Sequence, residues 1–224
     1  MKKYAIIVAG GKGVRMGNTT PKQFLLLAGK PVLMHTINAF YNASKDIILI
    51  VVLPENDIKL WNLLIQQYSF KVEHKIIQGG ETRFHSVKNG LNHITKDSIV
   101  AIHDGVRPLV SKKAIDHSFT EASFYGNAIT SVKLKESIRF VDSESNKTVD
   151  RANYRLIQTP QTFKSDEILE AFKNTQVSNF TDDAGVLEAY GKSIHLIDGE
   201  YHNIKITTPE DLVFAASYIN KLPQ

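Results

Sequence analysis

The feature that most limits the possible folds is a short, continuous apolar run that leads directly into a glycine-rich segment. The run is Tyr4–Ala9, and glycines recur over the following residues 10–17. An apolar run of this length without alternation is typical of a strand buried on both faces of a parallel sheet. Two similar runs, Ile47–Leu53 and Ser98–His103, and a weaker one, Ala128–Val132, predict further strands of the same kind.

Helical patterns lie between these strands. Apolar residues recur every three or four positions in two stretches, Phe84, Val87, Leu91, Ile94 and Ile115, Phe119, Ala122. Strands that alternate with amphipathic helices predict an α/β fold, a Rossmann-like, mostly parallel sheet with helices on both faces. With 224 residues, 42% of them hydrophobic, we expect one domain over residues 1–224.

Two further helices are indicated by their ends. Thr208 can cap a last helix, with Pro209 in its first turn and Asp211 at the acidic position of a capping box. Thr181-Asp182-Asp183 similarly predicts the start of a helix that Gly191 ends.

One segment, residues 134–157, departs from the α/β alternation. Lys135–Asp142 and Lys147–Ile157 are predicted to be extended, with residues 143–146 as the turn between them. This β-hairpin arm is polar and has little apolar surface to bury. It is therefore either a solvent-exposed flap or an arm that pairs with another subunit.

Composition and charge exclude several classes of protein. The chain has no cysteine, which excludes disulfides, zinc–thiolate sites and a cysteine nucleophile. No apolar run approaches the roughly 20 residues of a membrane span, so we expect a cytoplasmic protein with no membrane partner. The first acidic residue is Asp46, and the basic residues before it should concentrate a polyanion. No nucleic-acid-binding motif accompanies them, and we expect no nucleic-acid partner.

The loop after the first strand is a candidate phosphate site. It reads Ala9-Gly10-Gly11-Lys12-Gly13-Val14-Arg15-Met16-Gly17, and Pro21-Lys22-Gln23 follows. Ligands of open α/β sheets bind at the carboxyl ends of the strands, where glycines let backbone N–H groups approach phosphates. The spacing excludes the dinucleotide fingerprint, because three residues separate Gly13 from Gly17.

A carboxylate stands at the end of another predicted strand. Asp104 follows His103 and can hold Mg²⁺, which prefers one or two carboxylates together with phosphate oxygens. The alternative is that Asp104 caps a helix or forms a turn.

The order of the motifs carries a family resemblance. The glycine-rich opening and Pro-Lys-Gln are followed by the segments 79–83 (GGETR), 103–108 (HDGVRP), 148–151 (TVDR), 159–161 (TPQ), 181–182 (TD) and 203–207 (NIKIT). This set resembles the 2-C-methyl-D-erythritol 4-phosphate cytidylyltransferases over nearly the whole chain, within the nucleotide-diphospho-sugar transferase-like fold. The same segments resemble ribitol-5-phosphate cytidylyltransferases, which remain an alternative. A non-catalytic nucleotide-binding module on this fold is a second alternative.

The resemblance implies a site that takes CTP, a small alditol phosphate and Mg²⁺. It implies nucleotide-binding roles for Ala9, Gly10, Gly11, Gly13, Gly80, Glu81 and Ser86, and a metal-binding role for Asp104. It implies catalytic roles for Arg15, Lys22, Arg151 and Lys205, and contacts to the alditol phosphate from Arg107, Ser137 and Thr181. It also implies a homodimer in which the arm, with Ser137 and Arg151, serves the neighbouring subunit's site. The chain departs from the family at His202, where an aspartate is common, which leaves an additional carboxylate metal ligand in doubt.

Overall fold

A computed structural model describes residues 1–10, 20–175, 177–219 and 221. The predicted site residues Gly11, Gly13 and Arg15 lie outside the described residues.

Eleven strands and seven helices make up the described part of the chain. The strands are β1 (Lys2–Val8), β2 (Leu26–Leu27), β3 (Lys30–Pro31), β4 (Ile47–Leu53), β5 (Lys75–Gln78), β6 (Ser98–Asp104), β7 (Asn127–Lys133), β8 (Arg139–Val141), β9 (Asn146–Thr148), β10 (Arg155–Lys164) and β11 (Leu196–Asp198). The helices are α1 (Val32–Ala43), α2 (Glu55–Gln67), α3 (Arg83–Leu91), α4 (Lys112–Tyr125), α5 (Ser165–Asn174), α6 (Asp183–Ala189) and α7 (Pro209–Ile219). Short 3₁₀ turns span Lys22–Phe24 and Arg151–Asn153.

Seven of the strands form one sheet in the order β11-β7-β10-β6-β1-β4-β5. Neighbouring strands are parallel except at β10, which runs antiparallel to both β6 and β7. This confirms the predicted α/β fold with a mostly parallel sheet. β1 lies between β6 and β4, so Ala9 and Gly10, which follow β1, lie at the middle of the carboxyl edge.

Helices cover both faces of the sheet, as predicted. Alternate residues of the central strands point to opposite faces: Ala5 and Ile7 belong to one apolar cluster, Ile6 and Val8 to another. The first cluster takes in α1, α2 and α4, with Phe40 and Trp61 fully buried. The second takes in α3, α5 and α6. The continuous apolar runs are therefore strands buried on both sides.

The two predicted helix starts are confirmed by their capping bonds. The Asp211 carboxylate accepts hydrogen bonds from the backbone N–H of Thr207 and Thr208, both at 2.8 Å, at the start of α7. At α6, the Asp182 carboxylate accepts from the N–H of Gly185 at 3.0 Å. Such caps satisfy N–H groups that the first turn of a helix leaves unpaired.

The arm differs from the prediction in its second half. β8 and β9 pair as an antiparallel hairpin, but Lys147–Ile157 is not one extended segment. A 3₁₀ turn interrupts it, because the Asp150 side chain accepts from the N–H of Ala152 at 2.9 Å. Arg155 then begins β10, opposite Lys133 of β7, within the main sheet.

The surface of the arm is also less polar than the sequence indicated. Phe140, Val141 and Leu156 each have at least half of their surface exposed. Apolar area that is left exposed in this way is available for contact with another protein surface. Within the described residues, no helix is long and apolar enough to cross a membrane.

Candidate active site

A cavity of about 300 Å³ opens at the carboxyl edge of the sheet, where β1, β4 and β6 end. It is lined by Val8, Ala9, Gly10, Lys22, Gln23, Pro54, Gly80, Glu81, Thr82, Arg83, Ser86, Asp104, Val106 and Lys205. Segments far apart in sequence thus meet at the end of the central strand.

Backbone contacts fix the floor of this cavity. The N–H of Ala9 donates to the Val52 carbonyl at 2.9 Å, and the N–H of Gly105 donates to the Val8 carbonyl at 2.8 Å. A Cβ on Gly105 would lie 2.8 Å from the Cβ of Ala9, closer than carbon atoms pack. Glycine is therefore required where the segments after β1 and β6 cross.

The loop between β5 and α3 forms one wall. Its position depends on Ser86, whose hydroxyl accepts a hydrogen bond from the N–H of Gly80 at 3.1 Å. Thr82 caps α3 by accepting from the N–H of His85. A Cβ on Gly80 would lie 2.4 Å from the Cβ of His85, so the loop can pass this close to the helix only as glycine.

Asp104 is buried at the end of β6 and surrounded by cations. Its Oδ2 lies 3.1 Å from Lys205 Nζ and 3.2 Å from Arg107 Nε, and its Oδ1 lies 3.6 Å from Arg83 Nε. Burial alone would raise the pKa of Asp104, but Lys205, Arg83 and Arg107 together hold it well below its ordinary range. Asp104 is therefore a carboxylate anion throughout the pH range in which enzymes work.

A ring of buried hydrogen bonds supports Asp104 from below. Its backbone N–H donates to the Thr159 hydroxyl at 3.0 Å, and the Thr159 carbonyl accepts from Asn203 Nδ2 at 2.8 Å. Arg107 closes the ring by donating through Nη1 to the Asn203 carbonyl at 2.8 Å. The segments that resemble the family at 103–108, 159–161 and 203–207 therefore form one scaffold.

Neutral His103 is part of the same scaffold. It is fully buried, and its Nε2 lies 3.1 Å from the Arg107 carbonyl. Because a carbonyl only accepts, Nε2 carries the proton. Burial is the main cause that lowers the pKa of His103 to about 4.

Arg83 and Asp183 were not among the predicted site residues. Nη1 and Nη2 of Arg83 donate to the two carboxylate oxygens of Asp183 at 2.8 and 2.7 Å. Burial alone would lower the pKa of Arg83, but Asp183 and Asp104 raise it above its ordinary value. A bidentate fork of this kind is among the stronger ion pairs in proteins. The segment 79–83 and residues 181–183 were each noted in the sequence, but nothing in their spacing indicated that Arg83 and Asp183 touch.

The structure brings eight of the predicted site residues together and leaves others apart. Ala9, Gly10, Lys22, Gly80, Glu81, Ser86, Asp104 and Lys205 all line the cavity. Arg107 lies beneath it, where its contacts with Asp104 and Asn203 favour a positioning role over direct contact with substrate. Ser137, Arg151 and Thr181 are exposed and are not among the lining residues, and Arg151 donates to the carbonyl of Lys135 within the arm.

The described residues fit a single Mg²⁺ held by one carboxylate. No group of three or more His, Asp or Glu side chains in the described ranges could hold a metal by itself. Asp104 Oδ2 already faces Lys205 and Arg107, whereas Oδ1 has the longer contact to Arg83. Mg²⁺ commonly takes one carboxylate and completes its coordination with phosphate oxygens and water, which suits a site for a triphosphate.

Taken together, a doubly wound sheet, a glycine-lined floor and several cations around one carboxylate define an α/β nucleotidyltransferase. The cations of this arrangement can neutralise two phosphate-bearing substrates at once.

Comparison with known proteins identifies the family. A family model for 2-C-methyl-D-erythritol 4-phosphate cytidylyltransferase matches residues 4–221. A relative of that name from Azobacteroides pseudotrichonymphae is 50% identical, covering 98% of this chain and 99% of its own. Another from Bacteroides fragilis is 45% identical, covering 98% and 100%. The chain belongs to the 2-C-methyl-D-erythritol 4-phosphate cytidylyltransferase family, which favours this function over the ribitol-5-phosphate alternative.

Solved structures agree with this assignment. The 4-diphosphocytidyl-2C-methyl-D-erythritol synthase of Anaerococcus prevotii superposes with a TM-score of 0.81 at 30% identity, covering 97% of each chain. The 2-C-methyl-D-erythritol 4-phosphate cytidylyltransferase of Francisella tularensis gives a TM-score of 0.78 at 32% identity, covering 96% of this chain and 98% of its own.

Proposed function

We propose that this enzyme transfers the cytidylyl group of CTP to 2-C-methyl-D-erythritol 4-phosphate and releases pyrophosphate, a step of isoprenoid precursor biosynthesis. The observation that carries the proposal is that Lys22, Asp104 and Lys205 line the same cavity as Gly10, Gly80 and Ser86. Family membership supports the choice of substrates. We propose that the reaction takes place in the cytoplasm.

The reaction is an in-line displacement at the α-phosphorus of CTP. An oxygen of the alditol phosphate forms a bond to that phosphorus while the bond to the β-phosphate oxygen breaks, and the electron pair leaves with pyrophosphate. A phosphate is already anionic near neutral pH, so no strong general base is needed. The protein contributes position and charge.

Each predicted residue has a place in this scheme. Lys22 and Arg15 stabilise the charge that develops on the transferred group and on the leaving pyrophosphate. Lys205 and Arg151 hold the attacking phosphate. Ala9, Gly10, Gly11 and Gly13 line the phosphates of CTP, and Gly80, Glu81 and Ser86 contact its base. Ser137 and Thr181 complete the acceptor side, and Arg107 positions Asp104 beside it.

Asp104 is the residue that would hold Mg²⁺. When bound there, the metal would supply positive charge that lowers the repulsion between the phosphates. Lys205 and Arg107 keep Asp104 ionised and oriented for this contact.

We propose that the enzyme works as a homodimer whose arm reaches the neighbouring subunit's site. The exposed apolar side chains of the arm, and the exposure of Ser137 and Arg151 in this chain, support the proposal. Sedimentation at several concentrations tests it: Val141→Lys should shift the enzyme towards monomer, because a charge would enter an apolar contact. The control is Val177→Lys, at an exposed valine outside the arm. A wild-type protein that remains monomeric at high concentration would contradict the dimer.

The function itself is tested by pyrophosphate release with CTP and Mg²⁺, comparing 2-C-methyl-D-erythritol 4-phosphate with ribitol 5-phosphate. We expect a higher kcat/KM for the first. A preference for ribitol 5-phosphate would keep the mechanism and change the acceptor. Binding of CTP without any release of pyrophosphate would identify a non-catalytic nucleotide-binding module instead.

A further inference from the structure

Arg83 lies between the loop proposed to bind the base of CTP, at Gly80, and the segment proposed to bind the acceptor phosphate, at Thr181. It is the first residue of α3, three positions before Ser86, which supports the Gly80 loop. Its partner Asp183 is the first residue of α6, two positions after Thr181. One guanidinium group therefore joins the helix behind the base loop to the helix behind a proposed acceptor contact.

The geometry of Arg83 suits positioning better than direct contact with substrate. Both terminal nitrogens point at the Asp183 carboxylate, at 2.8 and 2.7 Å, while Nε points at Asp104, 3.6 Å away. The planar fork is thus oriented by two carboxylates on different elements. Lysine, with a single point charge, cannot reproduce this arrangement.

The start of α6 depends on a small number of polar contacts. Gln161 of β10 accepts from the N–H groups of Asp183 and Ala184 at 3.0 and 2.9 Å, and donates to Asp182 at 2.9 Å. α6 has seven residues, so it has little helical cooperativity of its own. Its first turn is held by Gln161 from the sheet, by the Asp182 cap and by Arg83 from α3, and its apolar residues pack in the cluster of that face.

α3 is fixed independently of this ion pair. Thr82 caps it, and Phe84, Val87 and Leu91 anchor it in the apolar cluster of that face. α6 contacts the same cluster, but loss of the fork leaves the Asp183 carboxylate, whose side chain is 1% exposed, without its partner, whereas Arg83 is 26% exposed. The start of α6 and Thr181 should therefore be displaced more than α3 and the base loop.

We propose that Arg83 is a positioning residue. Through Asp183, it keeps Thr181 and the acceptor phosphate in the correct position relative to Asp104 and the nucleotide. This role rests on the proposed cytidylyl transfer. It goes beyond that proposal because it assigns the coupling between the CTP-binding and acceptor-binding parts of the site to one ion pair. That ion pair needs no contact with either substrate.

The proposal predicts an effect on one substrate rather than on both. In steady-state pyrophosphate release, Arg83→Lys and Asp183→Asn should each raise the KM for the acceptor phosphate by about tenfold or more, a typical size for coupling between sites. The KM for CTP should stay close to that of the wild type. The matched control is Asp116→Asn, which removes the exposed ion pair with Lys112 on α4, and neither residue lines the cavity.

A double variant separates positioning from stability. Arg83→Met/Asp183→Leu removes the ion pair without leaving a buried charge unpaired, and such replacements commonly preserve folding. We expect it to melt no lower than the single variants and still to show the raised acceptor KM. Its melting curve is recorded beside its kinetics, so that a folding defect is distinguished from a defect in coupling.

The outcomes are distinct. If the wild type releases no pyrophosphate with either alditol phosphate, the proposed function is overturned and the coupling role with it. If the wild type is active and the folded double variant has wild-type KM values for both substrates, only the role of Arg83 is overturned. An equal rise of both KM values would also overturn it, because that is the result of a general loss of site geometry.

Discussion

A single methyl group at Gly80 should damage the site more than most substitutions of charged residues at the surface. The Cβ of an alanine there would lie 2.4 Å from the Cβ of His85 and 3.2 Å from the His85 carbonyl carbon. Carbon atoms in contact normally lie about 3.5–4.0 Å apart, so the new Cβ and the Cβ of His85 would have to separate by roughly a further 1 Å or more. Because the obstacle includes the backbone of α3, the loop rather than the helix should move.

The magnitude follows from two costs. Overpacking against a rigid neighbour typically costs about 1–3 kcal/mol, and losing the hydrogen bond from Gly80 N–H to the Ser86 hydroxyl costs about 1 kcal/mol more. A loss of about 2–4 kcal/mol corresponds to roughly 30- to 700-fold in an equilibrium constant. We expect part of this free-energy loss to appear as a higher KM for CTP and the rest as a lower melting temperature.

The assay is steady-state pyrophosphate release with CTP varied, alongside thermal unfolding of the same preparations. Gly185→Ala is the matched control, since the nearest atoms to its new Cβ are 3.3 and 3.4 Å away and helical alanine is favoured over glycine. Wild-type melting together with a wild-type KM for CTP in Gly80→Ala would refute the steric reasoning.

Three further predictions concern charge. Lys22→Ala should fold normally and lose on the order of 10²–10³ in kcat. The control variant Lys30→Ala, at an exposed lysine eight positions later in the chain, should keep its turnover. Equal kcat values in the two variants would show that Lys22 has no catalytic role. Asp104→Asn should require about tenfold more Mg²⁺ or more for half-maximal rate, and an unchanged Mg²⁺ titration would exclude it as a ligand. Folded His103, with a pKa of about 4 against 6.5 when unfolded, binds a proton more weakly than the unfolded chain, so stability should fall by about 3 kcal/mol as the pH drops from 6.5 to 4. His103→Gln should flatten this part of the curve in urea unfolding, and an unchanged slope would show that another group causes it.

Most of the fold could be predicted because burial leaves a local signature. β4 occupies the predicted residues Ile47–Leu53, since a strand buried on both faces shows as an unbroken apolar run. β11, at Leu196–Asp198, has three residues, too few to show a period, and was not predicted. The second half of the arm was predicted as extended, and the side-chain cap at Asp150 that turns it is a local contact that competes with extension.

The residues of the site also fall into two groups, those that the sequence could predict and those that it could not. Residues that carry the chemistry, such as Lys22 and Asp104, lie in motifs and could be named from the sequence. Residues that hold them, such as Arg83 and Thr159, act through partners 100 and 55 positions away in the chain. A one-dimensional pattern contains no signal for such pairs, because only the order of strands in the sheet decides which segments meet.

The strand order also has a consequence for the growing polypeptide. β1 is made first, yet its neighbours are β4, beginning opposite Lys3 at Ile47, and β6, beginning opposite Lys2 at Ser98. One edge of β1 therefore stays unpaired until β4 has been made, about fifty residues along the chain, and the other until β6 has been made, about a hundred residues along. Unpaired apolar strands tend to associate between chains. The innermost strand of the finished enzyme is thus the most vulnerable one on the ribosome, and chains truncated before β6 should aggregate rather than fold.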